Sequence, residues 1–159
     1  MRAASTAPVK VLRVIARLNM GGPAHQACLL SGRRVDPRRY ETLLVHGRLA
    51  AGEGSLADLV DAEGVREQRL DALSPRISPL ADAVALRELV RLIRAFEPDI
   101  VHTHTAKAGF LGRRAAIAEP RRDRWPTSAK MASHAPTACR IRRVRSTAAP
   151  LWHMRSIDW

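Results

Sequence analysis

The sequence predicts an α/β fold, a mostly parallel sheet with helices on both faces, followed by an irregular basic tail. Three observations lead there. Short apolar runs alternate with stretches of helical period in the order βαβαβαβα, which implies parallel strands joined by right-handed crossovers. The strand runs are continuously apolar and rich in β-branched residues, as expected of strands covered on both faces. Apolar residues make up 46% of the 159 residues and aromatics only 4%, so an aliphatic core is available and wholesale disorder is excluded.

Residues 1–8 read as a flexible leader of small side chains. The first strand centres on Val11, Leu12, Val14 and Ile15. A turn with Gly21 and Gly22 follows, and Pro23 suits the first position of a helix because its missing N–H has no partner there anyway. That helix is expected over Ala24 to Arg34, with Ala27, Leu29 and Leu30 toward the sheet and Cys28 as a small buried hydrophobe. Tyr40 to His46 reads as a second strand and Gly47 to Gly54 as a loop. Ser55 to Glu63 reads as a helix with Ser55 as N-cap and Gly64 as its left-handed stop. The charges of Arg66, Glu67 and Arg69 place a short third strand, Val65 to Leu70, at a sheet edge.

The clearest helix is Leu80 to Phe96, capped by Ser78 and Pro79. Leu86, Leu89, Val90, Ile93 and Phe96 form its apolar stripe, and Arg87, Glu88, Arg91 and Arg94 its wet face. Pro98 ends it. Asp99 to His104 is the fourth strand, and Ala108 to Ala118 the last helix. Residues 9–118 therefore form one domain.

Residues 119–159 differ in character. They hold 9 basic and 3 acidic residues against 18 and 12 in residues 1–118, so half of the net +12 lies in about a quarter of the chain. All three tryptophans are here and no structural period is sustained. One reading is a basic disordered tail that binds anionic lipid or nucleic acid. The other, which the lack of any period favours, is an out-of-frame stretch. Nucleic acid is the weaker partner because the tryptophans do not interleave regularly with the basic residues.

Cys28 and Cys139 are far apart and lack a CxxC partner, so a disulfide framework is not indicated and a cytoplasmic location is expected. Lys10 and Arg13 interrupt the N-terminal apolar run, which makes it a poor signal peptide. No run of about 18 uncharged apolar residues is present to span a membrane.

Two stretches carry candidate chemistry. The N–H groups at the helix start after Gly21-Gly22, with the helix dipole behind them, form a natural anion site. In DIVHTHTAKAG, His102 and His104 alternate along a strand and share one face, with Thr103 on the other. His104, Thr105 and Lys107 then stand at the strand's carboxyl end, where open α/β sheets bind ligands. His25, in the first turn of the first helix, lies near the same crevice. On the residues alone each has a plain alternative: glycine turns are ordinary α/β connections, and a strand-end His is often a packing residue. Two His at i and i+2 without an acidic or Cys cluster do not predict a metal site.

RLNMGGPAHQACLL followed by EPDIVHTHTAKAGFLGRRAA resembles the N-terminal, acceptor-side domain of family-4 retaining glycosyltransferases, over about Val9 to Ala118. The resemblance implies half of a GT-B architecture, two Rossmann-like domains with the active site between them. It implies contact of Gly21 and Gly22 with the donor's phosphates, and acceptor-side roles for His104 and Lys107. It identifies no catalytic residue here. The implied substrate is a nucleotide diphosphate-sugar, with no further cofactor. The implied acceptor is a glycan or lipid-linked glycan of cell-surface polysaccharide synthesis. The family continues with a further strand bearing a His and a donor-holding second domain. Because the resemblance stops near Ala118, the chain is expected to be a fragment, inactive alone. The competing reading is a non-catalytic basic module that contacts anionic membrane at the inner face of the cell membrane. That reading draws on Arg33, Arg34, Arg38 and Arg39 together with Arg140, Arg142, Arg143 and Arg145 of the tail.

Overall fold

The computed structural model describes residues 7–119 and, for the backbone, residues 138–140. Residues 1–6 of the leader and the greater part of the tail lie outside the described residues.

Strand β1 (Val9–Ile15) forms because Val11, Leu12, Val14 and Ile15 fill both faces of one extended segment, and all four are buried. Helix α1 (Gly22–Leu29) starts as Pro23 allows. It is shorter than expected: it closes on Leu30, and Ser31 and Gly32 turn the chain out. Gly32 is held tightly, since a Cβ there would lie 2.6 Å from the Glu63 Cβ. Ala24, Ala27 and Cys28 face the sheet, while Leu29 and Leu30 are only half-buried. Strand β2 (Tyr40–His46) has the expected bounds.

Helix α2 (Ala57–Glu63) begins two residues late. Its cap position is Leu56, and Ser55 contributes from one residue earlier by accepting the Ala57 N–H at 3.0 Å. Gly64 stops it with φ +61°, a left-handed conformation that favours glycine. Strand β3 (Glu67–Arg69) is short, exposed and at the sheet edge, as its charges predict. Helix α3 (Pro79–Phe96) has Ser78 at its cap, but the Ser78 hydroxyl makes no cap bond. The Asp82 carboxylate accepts the Ser78 N–H instead. Ala85, Leu89, Ile93 and Phe96 are its buried stripe.

Strand β4 (Ile100–His104) and helix α4 (Ala106–Ala118) complete the alternation, α4 starting two residues earlier than expected. One strand falls where the sequence shows no period: β5 (Ala138–Arg140) pairs antiparallel to β4. Backbone pairing along an open edge requires no side-chain period.

The sheet order is β3-β2-β1-β4-β5, with β1 to β4 parallel. α1 and α2 cover one face over Ile15, Leu18, Leu44, Val60 and Val65. α3 and α4 cover the other over Leu12, Val14, Leu43, Val45 and Val101.

Candidate functional site

The topology selects the site. From β1 the chain steps outward to β2 and β3, then crosses back through α3 to set β4 on the other side of β1. The order reverses between β1 and β4, and such a switch point opens a crevice at the strands' carboxyl ends. Ile15 stands opposite His104 in the parallel register, so the turns after β1 and β4 leave the sheet side by side. Two segments almost ninety residues apart thus converge.

Gly21 is the cap residue of α1, at φ −155° and ψ 154°, extended backbone that any residue adopts. A Cβ at Gly21 would make ordinary contact with Asn19, and one at Gly22 would meet nothing within 4 Å. Neither the backbone angles nor the protein's own packing therefore requires glycine at Gly22. The space above it is open at a helix start whose N–H groups are unspent by any side-chain cap. His25 is exposed in the first turn of α1.

Across the switch point, Thr105 caps α4 at φ +73° and ψ +156°, a region rarely populated by a residue with a Cβ. The strain sits at the junction where the chain turns from β4 into its helix. Thr105 is exposed; its carbonyl accepts the Gly109 N–H and its hydroxyl makes no cap bond. Lys107 does not stand free in the crevice. Its Nζ pairs with the Asp82 carboxylate at 2.5 Å and donates to the Arg76 carbonyl, tying the first turn of α4 to that of α3.

His102 and His104 do share a face, their ring centroids 4.4 Å apart and their planes 40° apart. Thr103 points the other way, against Gly109 and Gly112 of α4. His104 is buried, and its Nε2 has no hydrogen-bond partner among the described residues. Both rings are pushed down to a pKa of about 4. Burial is the larger cause for both. The Arg13 guanidinium adds to it for His102, and His102 and Arg13 add to it for His104. The site thus presents two neutral imidazoles at neutral pH.

Arg13 is the residue that sequence reasoning missed. It is buried in the middle of β1, where its Nε donates to the Leu30 carbonyl at the end of α1 and its Nη1 lies 2.5 Å from His102 Nδ1. The helix's negative end offsets part of the buried charge. Burial lowers the Arg13 pKa to about 10. The available signal was a cation within an apolar run; that a His stands opposite it on a parallel neighbour is set by the strand order.

The proposed basic patch is partly spent. Arg33 and Arg34 both reach the buried Glu63 carboxylate, at 3.8 and 2.9 Å, and the Arg39 guanidinium lies over the Tyr40 ring. A groove of about 340 Å³ between β3 and α3 lies at the opposite side of the sheet from β4, lined by Gln68, Asp71 and Glu88 among others. It brings together none of the candidate residues. Among the described residues no group of three or more His, Cys, Asp or Glu comes together, and no helix is long and apolar enough to cross a membrane.

A sheet reversed at β1/β4, with a glycine helix start on one side and HTHTAKAG on the other, is the N-terminal half of a GT-B fold. The chain belongs to the glycosyl transferase 4-like domain family, whose model matches residues 11–157. That span reaches beyond Ala118, where the resemblance in the motifs stops. The chain is 37% identical over 93 residues to the Escherichia coli UDP-Gal:alpha-D-GlcNAc-diphosphoundecaprenol alpha-1,3-galactosyltransferase, covering 55% of this chain and 24% of that protein. It thus spans about a quarter of that relative's length.

Among solved structures, a UDP-N-acetylglucosamine 2-epimerase from Listeria monocytogenes matches with a TM-score of 0.55 at 18% identity, covering 70% of this chain and 29% of that one. A glycosyltransferase from Rickettsia africae matches at 0.50 and 16%, covering 67% and 27%. At such identities these likenesses concern the fold.

Proposed function

We propose that this chain is the acceptor-side half of a retaining glycosyltransferase that moves a sugar from a nucleotide diphosphate-sugar to a lipid-linked glycan. The observation that carries the reading is the convergence of the open helix start at Gly22 with the buried, unspent His104 at one switch point. Gly22 leaves room for a phosphate to approach backbone N–H groups, which stabilise departing diphosphate charge without reorganising. His104 offers a hydrogen bond to a hydroxyl, with His25 and Thr105 exposed nearby. Lys107 acts by fixing the α4 start against α3. The E. coli relative's printed name, with its UDP-sugar donor and diphospholipid-linked acceptor, supports this substrate class. No cofactor beyond the nucleotide-sugar is invoked.

The proposal includes a cytoplasmic site of action with peripheral contact at the inner face of the membrane, where a lipid-linked acceptor presents its sugar. Arg38 and Arg39, which make no ion pair among the described residues, support that contact. The chain spans about a quarter of the E. coli relative's length, and by itself it is expected not to turn over. The test is titration of the full chain with a short-chain lipid diphosphate-linked N-acetylglucosamine, followed by calorimetry. Binding that His104→Ala weakens at least tenfold is expected, with no sugar transfer from radiolabelled UDP-galactose. Binding unaffected by His104→Ala, or clear turnover by the chain alone, would overturn the reading.

A further inference from the structure

The Arg13–His102–His104 row sets a buried cation beside two imidazoles, an arrangement that packing alone does not require. An arginine side chain has five donors and no acceptor, so the 2.5 Å contact of its Nη1 with His102 Nδ1 is a hydrogen bond only if that nitrogen carries no proton. His102 is thereby held in the form protonated on Nε2, and an imidazolium at this position would lose the contact and face a cation. The guanidinium cannot swing away, because its Nε is bonded to the Leu30 carbonyl at 3.2 Å. His102 stacks on His104, whose Nε2 is buried without a partner among the described residues.

We infer that Arg13 is a positioning residue, which locks His102 in its Nε2–H form and so adds to the burial that keeps His104 a neutral hydrogen-bonding ring facing the switch point. The consequence is a choice of ligand chemistry. A neutral imidazole takes the hydroxyl of a glycan, whereas an imidazolium would draw phosphate. The inference rests on the acceptor-site reading only for that consequence; the ring state itself does not depend on it.

Among the described side chains, the groups on the elements around the pair are few. β1 brings Arg13. α1, which packs over this face, brings the buried Cys28 thiol, raised mainly by burial, and the exposed His25. Beyond β1, His46 of β2 is held by Glu67 at 3.1 Å and by the Gly47 carbonyl. β5 meets β4 through its backbone. Of these, Arg13 is the charge that acts on both rings, in the same direction as burial.

Long-range proton–nitrogen spectra of the full chain with ¹⁵N-labelled histidine read tautomer and titration directly. In the native chain His102 should show the Nε2–H form from pH 8 to about 5, with both rings titrating well below the ordinary 6.5. Arg13→Met should release the tautomer and move both midpoints up, that of His102 more than that of His104. Arg13→Lys keeps the charge but loses the fork, so it should leave the midpoints low and mix the tautomers. If Arg13→Met does not fold, Arg13→Lys decides through the tautomer alone. An Nδ1–H His102 in the native chain, or midpoints unmoved in a folded Arg13→Met, would overturn the inference. At pH 7, methyl N-acetylglucosaminide should shift the His104 signals and millimolar inorganic phosphate should not; the reverse overturns the ligand choice. A locked tautomer with no response to either probe would refute the acceptor reading and leave Arg13's positioning role standing.

Discussion

Lowering the pH from 7.5 to 5.5 should destabilise this fold through the half-buried His102 and the buried His104. Folded, both have a pKa of about 4; unfolded, they return to about 6.5. The unfolded chain then binds more protons than the folded one between those values. The stability gained by keeping the rings neutral is complete above about 6.5 and is lost as the pH falls toward 4. Across the stated window the linkage relation gives about 1.3 kcal/mol per ring. The rings are coupled and His102 is partly exposed, so about 2 kcal/mol is the appropriate figure for the pair. For a domain of this size that lowers Tm by about 10 °C. Calorimetry in buffers of matched ionic strength is the assay, and carboxylates of ordinary pKa stay largely ionised throughout the window. His104→Gln should remove about half of the slope and His102→Gln with His104→Gln nearly all of it. A Tm that is flat or rises on acidification, or a slope indifferent to the double substitution, would refute the reasoning.

Other perturbations separate strain, packing and ligand space. Thr105→Gly should raise stability by about 1 kcal/mol in urea denaturation by relieving the left-handed cap, whereas Thr105→Ala should not. Gly112→Ala puts a Cβ 2.6 Å from Thr103 Cγ2 and should cost about 1–3 kcal/mol, with recovery when Thr103→Ser removes that methyl. Gly47→Ala should cost more than about 3 kcal/mol or prevent folding, because its Cβ would meet the Leu73 and Ala16 carbonyl oxygens, which are backbone and cannot yield. Gly22→Val, by contrast, points into open space; it should leave the urea midpoint nearly unchanged while weakening binding of UDP-galactose to a full-length relative carrying the same substitution.

The contrast between Gly22 and Gly47 shows where sequence reasoning worked and where it did not. Gly21-Gly22 drew attention as a motif, and its position at a helix start was legible because Pro23 follows it. Gly47 looked like any loop glycine, and only the approach of the Leu73 carbonyl from another segment makes it indispensable. Lys107 read as a free cation beside the crevice because its turn was recognisable. Asp82, twenty-five positions earlier, neutralises it, and that pairing depends on how α3 and α4 pack. Ser78 and Ser55 were correctly placed at helix starts, yet the bonds made there differ from the expected caps: the Asp82 carboxylate accepts the Ser78 N–H, and Ser55 accepts the Ala57 N–H from one residue before the cap position.

By itself the sequence determined the alternation of strands and helices, the apolar stripe of α3, the edge character of β3 and the shared face of His102 and His104. These follow from local periodicity, which sterics imposes within a few residues. The tertiary structure alone decided that β4 returns to lie beside β1, since strand order depends on long-range burial that no local pattern records. That return sets Arg13 against His102, and so the charge state of the site: a side chain's protonation depends on neighbours and desolvation brought from distant parts of the chain.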